Sequence, residues 1–155
     1  KDVLTENAGE YIFGYTICND FSARDALMDE MGFGPSAGPA KGKDFDTSNA
    51  LGPWIVTADE MGDPSSAKMR VEVNGEIKGE ALVGDAAHSV FDLVSYASRG
   101  ETLVPGEVLA CGAVGDGTGI ETWSFLKPGD HVHLYVERIG YLANKIGPKP
   151  DIWAL

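Results

Sequence analysis

The chain has 155 residues, of which 43% are hydrophobic and 23% charged, and this composition indicates one globular domain with a sizeable core and excludes a disordered chain or a coiled coil. Its 24 acidic and 12 basic residues give a net charge of −12. Because this field repels phosphate groups and anionic lipids, neither nucleic acid nor a membrane is expected as a partner. No apolar stretch approaches the roughly 18 residues of a spanning helix, so we expect a soluble, cytoplasmic protein.

The first part of the chain predicts one strand, one short helix and a long loop. β-Branched and aromatic side chains over residues 11–19 predict a strand buried on both faces. Ser22, followed three residues later by Asp25, is typical of a helix start, and the helix is expected to run toward Met31. Residues 32–52 are dense in Gly, Pro, Asp and Ser. They predict a loop that is too long to be an idle connection.

The second part predicts a β-hairpin, an amphipathic helix and further strands. Asn74-Gly75 between two alternating segments is the strongest short-range signal for a hairpin. Apolar residues recur at helical spacing over residues 90–97, with Gly100 as the expected stop. The predicted strands are residues 53–58, residues 69–74 and 76–82 on either side of the hairpin turn, residues 108–111 and residues 131–136.

Several motifs are interpreted as structural. The glycine cluster at residues 115–119 lacks the third glycine of a dinucleotide-binding loop and predicts an irregular loop. His131 and His133 share one face of a strand, but no third ligand lies nearby in the sequence, so they are expected to face solvent. Cys18 and Cys111 lie singly in apolar segments and are expected to be buried free thiols.

Asp20 and Lys43 are the candidates for chemistry among the charged residues near the long loop. Asp20 directly follows an apolar strand, where a carboxylate needs a cation or hydrogen-bond donors to offset its desolvation. A hard divalent ion such as Mg²⁺ would meet that need, and the Lys43 ammonium could stabilise a developing oxyanion. A structural salt bridge is the alternative, and the residues alone leave both interpretations open. The remaining acidic residues of this region, mostly interpreted as solvated surface charges, are Asp25, Asp29, Glu30, Asp44 and Asp46.

Seven segments between residues 11 and 144 carry a family likeness. They are Asn19-Asp20-Phe21-Ser22-Ala23-Arg24-Asp25, Lys41-Gly42-Lys43-Asp44-Phe45-Asp46-Thr47, Gly52-Pro53-Trp54, Val73-Asn74-Gly75-Glu76, Pro105-Gly106-Glu107-Val108-Leu109, Leu126-Lys127-Pro128-Gly129-Asp130 and Ile139-Gly140-Tyr141-Leu142-Ala143-Asn144. In this order they resemble the fumarylacetoacetate hydrolase family, in its C-terminal catalytic domain. The resemblance implies an α+β, predominantly β fold, with a rolled mixed sheet or β-barrel-like core, few short helices and a homodimeric assembly. Residues 1–155 are expected to form a single domain of this kind that lacks its N-terminal portion.

The resemblance also implies roles for individual residues. Asp20 matches the family's aspartate metal ligand and Lys43 its catalytic lysine. The other matched positions are Thr47, Leu27 and Ala113 as substrate-binding positions and Glu121 as a loose match for a catalytic glutamate. At two of these positions the family often has another residue, glutamine instead of Leu27 and threonine instead of Ala113, so the ligand is expected to differ from fumarylacetoacetate.

The implied cofactor is Mg²⁺, or Mn²⁺ or Ca²⁺ in its place, and the implied substrate is a 2-oxo acid or a 1,3-dicarbonyl compound. The family's Glu-x-Glu metal ligands and catalytic histidine would lie upstream of Lys1. The implied activity is metal-dependent hydrolysis of a carbon–carbon bond. Decarboxylation of an oxaloacetate-like acid or isomerisation of a 2-hydroxydienoate is the alternative within the family, and a degenerate, non-catalytic binding domain is the alternative outside catalysis.

Overall fold

The computed structural model describes residues 1–32 and 39–148, which form six strands, short helices and long connections. The strands are β1 (Gly14–Asp20), β2 (Asn49–Thr57), β3 (Lys68–Val73), β4 (Glu76–Leu82), β5 (His131–Val136) and β6 (Gly140–Lys145). The α-helices are α1 (Arg24–Gly32), α2 (Ala58–Met61), α3 (Val90–Ala97) and α4 (Gly119–Thr122), and the 3-10 helices are Thr5–Tyr11, Pro64–Ser66 and Val83–Asp85. Among these described helices, none has the length and apolar character needed to cross a bilayer.

The strands form two separate sheets. β1 pairs with β2, and the second sheet has the order β4-β3-β5-β6. Every strand pairing in the described part of the chain is antiparallel, and neither sheet closes on itself. The prediction of an α+β, predominantly β fold with few short helices is confirmed, and its core consists of two open sheets instead of a closed barrel.

The hairpin predicted at Asn74-Gly75 is confirmed as the turn between β3 and β4. Both turn residues have positive φ, 54° and 81°, the combination that a type I′ turn requires. The Asn74 side chain donates a hydrogen bond of 2.9 Å to the carboxylate of Asp130 and accepts one of 2.9 Å from the N–H of His131. The hairpin turn is therefore tied to the first residue of β5.

The predicted amphipathic helix is confirmed as α3. Ser89 caps it, because its hydroxyl accepts the N–H of Asp92 while the Asp92 carboxylate accepts the N–H of Ser89. Gly100 follows the helix with a φ of 70°. Val94 on this helix packs with Val3 and forms the smaller of two buried clusters.

Two strand predictions need correction. Residues 11–19 do not form one strand, since Thr5–Tyr11 is a 3-10 helix and β1 begins at Gly14. Only Ile17 of β1 is buried, because β1 pairs with β2 alone and borders an open concavity. The strand predicted at residues 108–111 is wrong: this segment has no regular structure and is exposed. Strand-forming side chains need a pairing partner, which this segment lacks among the described residues.

β2 begins at Asn49, four residues before the predicted start at residue 53. The additional residues pair with the end of β1, where Asp20 lies opposite Asn49 and Cys18 opposite Leu51. The predicted loop therefore ends at Ser48. Its segment 33–38 lies outside the described residues.

The predicted environments of the thiols and imidazoles are only partly correct. Cys18 is half-buried, but Cys111 is exposed, so its predicted burial is wrong. His131 is exposed and His133 half-buried, with its Nδ1 atom 4.0 Å from a carboxylate oxygen of Glu72. The described residues contain no group of three metal-binding side chains at these histidines or elsewhere.

The larger buried cluster lies between the two sheets. β1 and β2 contribute Ile17 and Val56, the connections contribute Met61, Ala67 and Ile139, and half-buried residues of β5 and β6 pack against them. Met61 is 2% exposed and is the largest fully buried side chain of the described residues. This cluster fixes β1, which ends at Asp20, against the four-stranded sheet.

We expect Met61→Ala to lower the free energy of unfolding by about 2–5 kcal/mol, because it removes buried methylene groups and leaves a cavity. Met28→Ala is the matched control, since Met28 is 61% exposed, and its expected effect is within about 0.5 kcal/mol. Urea unfolding of both variants measures the difference. Equal effects of the two substitutions would contradict this assignment of the core.

Candidate active site

Asp20 and Lys43 form an ion pair, with 2.5 Å between the Lys43 Nζ and an Asp20 carboxylate oxygen. The Asp20 side chain is 49% exposed and the Lys43 side chain 31% exposed. The desolvation predicted for Asp20 is therefore wrong, because the strand that it ends is open on one side. A pair with this exposure remains within reach of a small molecule from solvent.

The pair borders a large open concavity of about 2640 Å³. β1 lines one wall, and the irregular segment 103–119 lines another. This segment includes the glycine cluster, and the prediction that residues 115–119 form an irregular loop is confirmed, with α4 starting at its last glycine. The two charges of Asp20 and Lys43 thus lie at the edge of a space large enough for an organic acid.

The register between β1 and β2 explains why Lys43 returns to Asp20. Asp20 pairs with Asn49, and the N–H of Phe21 donates to the carbonyl of Ser48 at 2.8 Å. Since β2 follows the loop that carries Lys43, this pairing closes the loop beside the end of β1. On β1, Asn19 donates from its side chain to that of Asn144 on β6 at 3.2 Å, which links the end of β1 to the other sheet.

The segment 40–44, here called the lysine loop, is a tight turn. The N–H groups of Lys43 and Asp44 both donate to the carbonyl of Ala40, at 3.0 and 2.8 Å. Gly42 accepts a hydrogen bond of 2.9 Å from the N–H of Ala23, just before α1. A side chain at position 42 would not fit, because a Cβ atom there would lie 2.3 Å from the Cγ of Leu27. The lysine loop therefore packs directly on α1.

The other predicted site residues lie in different surroundings. Leu27 is 8% exposed and packs under the lysine loop. Thr47 is exposed and has a φ of 66°, a conformation that is costly for a β-branched residue. Ala113 is exposed and lines the concavity. Their assignment to substrate binding stays a prediction.

Glu121 caps helix α4. Its carboxylate accepts hydrogen bonds from the hydroxyl of Thr118 at 2.7 Å and from the N–H of Thr118 at 3.2 Å. The Thr118 hydroxyl, followed by the Thr118 N–H, holds the pKa of Glu121 below its ordinary value. The observed contacts of Glu121 stabilise the start of α4. The catalytic role of Glu121 stays a prediction.

The sequence did not predict a role at this site for two further residues, Cys18 and Glu30. Cys18 lies two residues before Asp20, and burial, followed by the charge of Asp20, raises the pKa of its thiol, while Lys43 lowers it. Glu30, interpreted with the surface charges, instead contacts the lysine loop. The signal for Cys18 is the two-residue period of a strand, which places it on the same face as Asp20; no sequence pattern identifies the contact of Glu30.

Asp20 is suited to bind a hard divalent cation as one oxygen ligand, since a carboxylate has two acceptor oxygens and Lys43 contacts one of them. The described residues contain no group of three candidate ligands. Asp20 thus fits as one oxygen ligand of such a site.

Comparison with known proteins identifies relatives along almost the whole chain. Residues 1–147 match the family model of the fumarylacetoacetate (FAA) hydrolase C-terminal domain. The chain is 34% identical over 146 residues to an oxaloacetate tautomerase of Bacillus subtilis. The aligned region covers 94% of this chain and 46% of that protein. It is 36% identical over 146 residues to the 4-hydroxyphenylacetate degradation bifunctional isomerase/decarboxylase of Salmonella dublin, covering 94% of this chain and 32% of that protein. The chain thus spans half or less of the length of these relatives.

Solved structures are similar in fold as well as in sequence. The 5-carboxymethyl-2-hydroxymuconate delta-isomerase of Mycobacterium smegmatis has a TM-score of 0.82 at 37% identity, covering 97% of this chain and 54% of that one. The fumarylpyruvate hydrolase of Pseudomonas aeruginosa, solved in complex with Mn²⁺ and pyruvate, has a TM-score of 0.81 at 26% identity, covering 96% of this chain and 60% of that one. The chain therefore belongs to the fumarylacetoacetate hydrolase family, a family of enzymes, and corresponds to its C-terminal domain.

Proposed function

We propose that this chain supplies Asp20 and Lys43 to the active site of a metal-dependent enzyme that stabilises the enolate of a 2-oxo acid or 1,3-dicarbonyl substrate. The observation that carries the proposal is the 2.5 Å pair of Asp20 and Lys43 at the edge of the concavity. An ammonium held at this position can neutralise the charge that develops on an enolate oxygen.

The relatives support a 2-oxo acid as the substrate class. One relative is an oxaloacetate tautomerase, and one structural neighbour was solved with Mn²⁺ and pyruvate. Both compounds are 2-oxo acids that form enols. The net charge of −12 makes Lys43 important for an anionic substrate, since it offers a positive group beside a predominantly acidic surface.

Asp20 and Lys43 have different roles in this proposal: Asp20 binds the metal ion and Lys43 stabilises the developing charge. Asp20 would hold a divalent cation, of which Mg²⁺, Mn²⁺ and Ca²⁺ are the candidates and Mn²⁺ has support from the neighbour. Such a cation supplies Lewis acidity toward the 2-oxo group when it is bound. Lys43 would donate hydrogen bonds from its ammonium to the enolate oxygen. Asp20 orients that ammonium before the substrate arrives.

Hydrolysis of a carbon–carbon bond is the first candidate reaction. Water adds to the distal carbonyl of a 2,4-dioxo acid, the bond between C3 and C4 breaks, and its electron pair stays on C3 as the enolate of the 2-oxo acid. The C4 fragment leaves as a carboxylic acid, and protonation of C3 completes the reaction. Lys43 would stabilise the enolate oxygen in that step.

Tautomerisation or isomerisation is the second candidate, with decarboxylation as a related outcome. It passes through the same kind of enolate without attack by water. A tautomerisation moves a proton between C3 and the enol oxygen, and an isomerisation moves it between C3 and another carbon of the conjugated system. Among the relatives at 34–37% identity, a tautomerase and isomerases support this candidate, whereas putative hydrolases support the first one.

Product analysis separates the two candidates. The intact protein with Mn²⁺ is incubated with an acylpyruvate and, separately, with the enol form of oxaloacetate. Hydrolysis releases pyruvate and a carboxylic acid from the first compound, whereas tautomerisation removes the enol absorbance of the second with no change in mass. Absence of both activities would favour the non-catalytic alternative. The homodimer and the single domain over residues 1–155 stay predictions.

We expect Lys43→Met to lower kcat by about 100- to 1000-fold with a small change in KM, because the lost interaction is made mainly in the transition state. Lys145→Met is the matched control, since Lys145 is an exposed lysine of β6, and it should retain wild-type kcat. Steady-state kinetics on the better of the two substrates measures both. Normal turnover of Lys43→Met would refute the proposed role.

We expect Asp20→Asn to weaken Mn²⁺ binding by about 100-fold or more, because an amide replaces an anionic ligand. Loss of a residue that only supports a metal ligand already costs about 10- to 100-fold in affinity. Asp46→Asn removes an exposed carboxylate from the same loop region and serves as the control. Isothermal titration of Mn²⁺ into the intact protein gives the affinities. If Asp20→Asn binds as tightly as the control, Asp20 is not a ligand.

A further inference from the structure

Glu30 joins helix α1 to the lysine loop. One of its carboxylate oxygens accepts the N–H of Ala40 at 2.9 Å, and the two oxygens lie 3.2 and 3.4 Å from the N–H of Gly42. The N–H groups of Ala40 and Gly42 thus converge on one side chain.

The position of Glu30 in α1 is not explained by the helix itself. Glu30 lies near the C-terminal end of α1, where the helix dipole disfavours a negative charge, and no basic residue is present in the last turn. The contacts that offset this placement lie in the lysine loop. Hydrogen bonds to an ionised acceptor are about twice as strong as neutral ones.

The contacts of Glu30 bear directly on Lys43. The N–H of Lys43 donates to the carbonyl of Ala40, and the carbonyl of Gly42 accepts from Ala23. Glu30 accepts the N–H groups of Ala40 and Gly42, so both of these residues have their N–H and their carbonyl hydrogen-bonded, which fixes the backbone on the N-terminal side of Lys43. With the backbone fixed, the Lys43 side chain is directed to Asp20.

We propose that Glu30 is a positioning residue that holds the lysine loop in the conformation in which the Lys43 ammonium meets Asp20. This inference rests on the proposed function of Lys43. Glu30 touches neither Asp20 nor the reacting atoms in this arrangement; it acts through the backbone of the lysine loop.

The ionisation of Glu30 agrees with this role. The N–H of Ala40 is the main cause that holds the pKa of Glu30 below its ordinary value; burial opposes it, and the N–H groups of Gly42 and Lys41 and the charge of Lys41 add to the lowering. Because the folded-state pKa is lowered, the contribution of Glu30 to stability is present above its ordinary pKa and is lost as the pH falls through the folded-state value. The carboxylate is therefore ionised at neutral pH.

The test compares Glu30→Gln with Asp29→Asn in the intact protein. Asp29 is the exposed neighbour of Glu30 on α1, so its substitution removes the same charge from the same helix without removing the contacts of Glu30. Hydrogen exchange of the Ala40 and Gly42 amides is the first readout. We expect Glu30→Gln to lower their protection by about 5- to 10-fold, because the charged acceptor is lost, and Asp29→Asn to leave it unchanged.

The second readout is kinetic. Glu30→Gln should lower kcat by about 10-fold with KM within about twofold, since a displaced Lys43 stabilises the transition state less and the bound substrate little differently. Glu30→Asp retains the charge with a shorter side chain and should give intermediate protection and intermediate kcat. It also keeps the test decisive if Glu30→Gln does not fold.

Each outcome decides the proposal. Reduced amide protection together with reduced kcat supports it. Unchanged protection in Glu30→Gln overturns it, and so does reduced protection with wild-type kcat, because the contact would then be structural only. A Lys43→Met variant with normal turnover would refute the proposed function separately, whatever the amides of Ala40 and Gly42 show.

Discussion

The antiparallel pairing of β1 with β2 is the constraint on which the candidate site depends. It sets Asp20 opposite Asn49 and brings the N–H of Phe21 to the carbonyl of Ser48. The described segment that leads into β2 therefore lies beside the end of β1. The lysine loop within it packs on helix α1, and strand register and this packing together bring Lys43 to Asp20.

Most of the regular structure could be predicted because local signals and tertiary contacts agree. The Asn74-Gly75 turn needs positive φ at both residues, and α3 has its apolar spacing, its Ser89 cap and its terminal glycine. The pairing of Asp20 with Lys43 could be expected from family resemblance. A carboxylate and an ammonium 23 residues apart give no periodic pattern that would establish their contact.

The predictions that failed depend on partners distant in sequence. Residues 108–111 have the composition of a strand, but composition does not supply a neighbouring strand to complete the hydrogen-bond ladder. Asp20 was expected to be desolvated because its strand is apolar, whereas exposure depends on what covers β1 from outside. Glu30 resembled other surface acids, since its acceptors are backbone N–H groups and carry no sequence signature. Each of these features depends on residues that are close in space but distant in the sequence. Local sequence patterns do not identify such neighbours.

The close approach of Leu27 to Gly42 has a consequence for recognition. Members of the family often have glutamine at the position of Leu27. The amide of a glutamine could offer a hydrogen-bond donor and an acceptor beneath the lysine loop. Leucine offers neither and fills the space with methyl groups. Under the proposed function, the groups that discriminate among organic acids would then lie elsewhere in the concavity, whose lining includes the mostly exposed segment 103–119. Changes in substrate preference within this lineage would accordingly be sought in that irregular wall, whose shape can vary without disturbing the packing that supports the lysine.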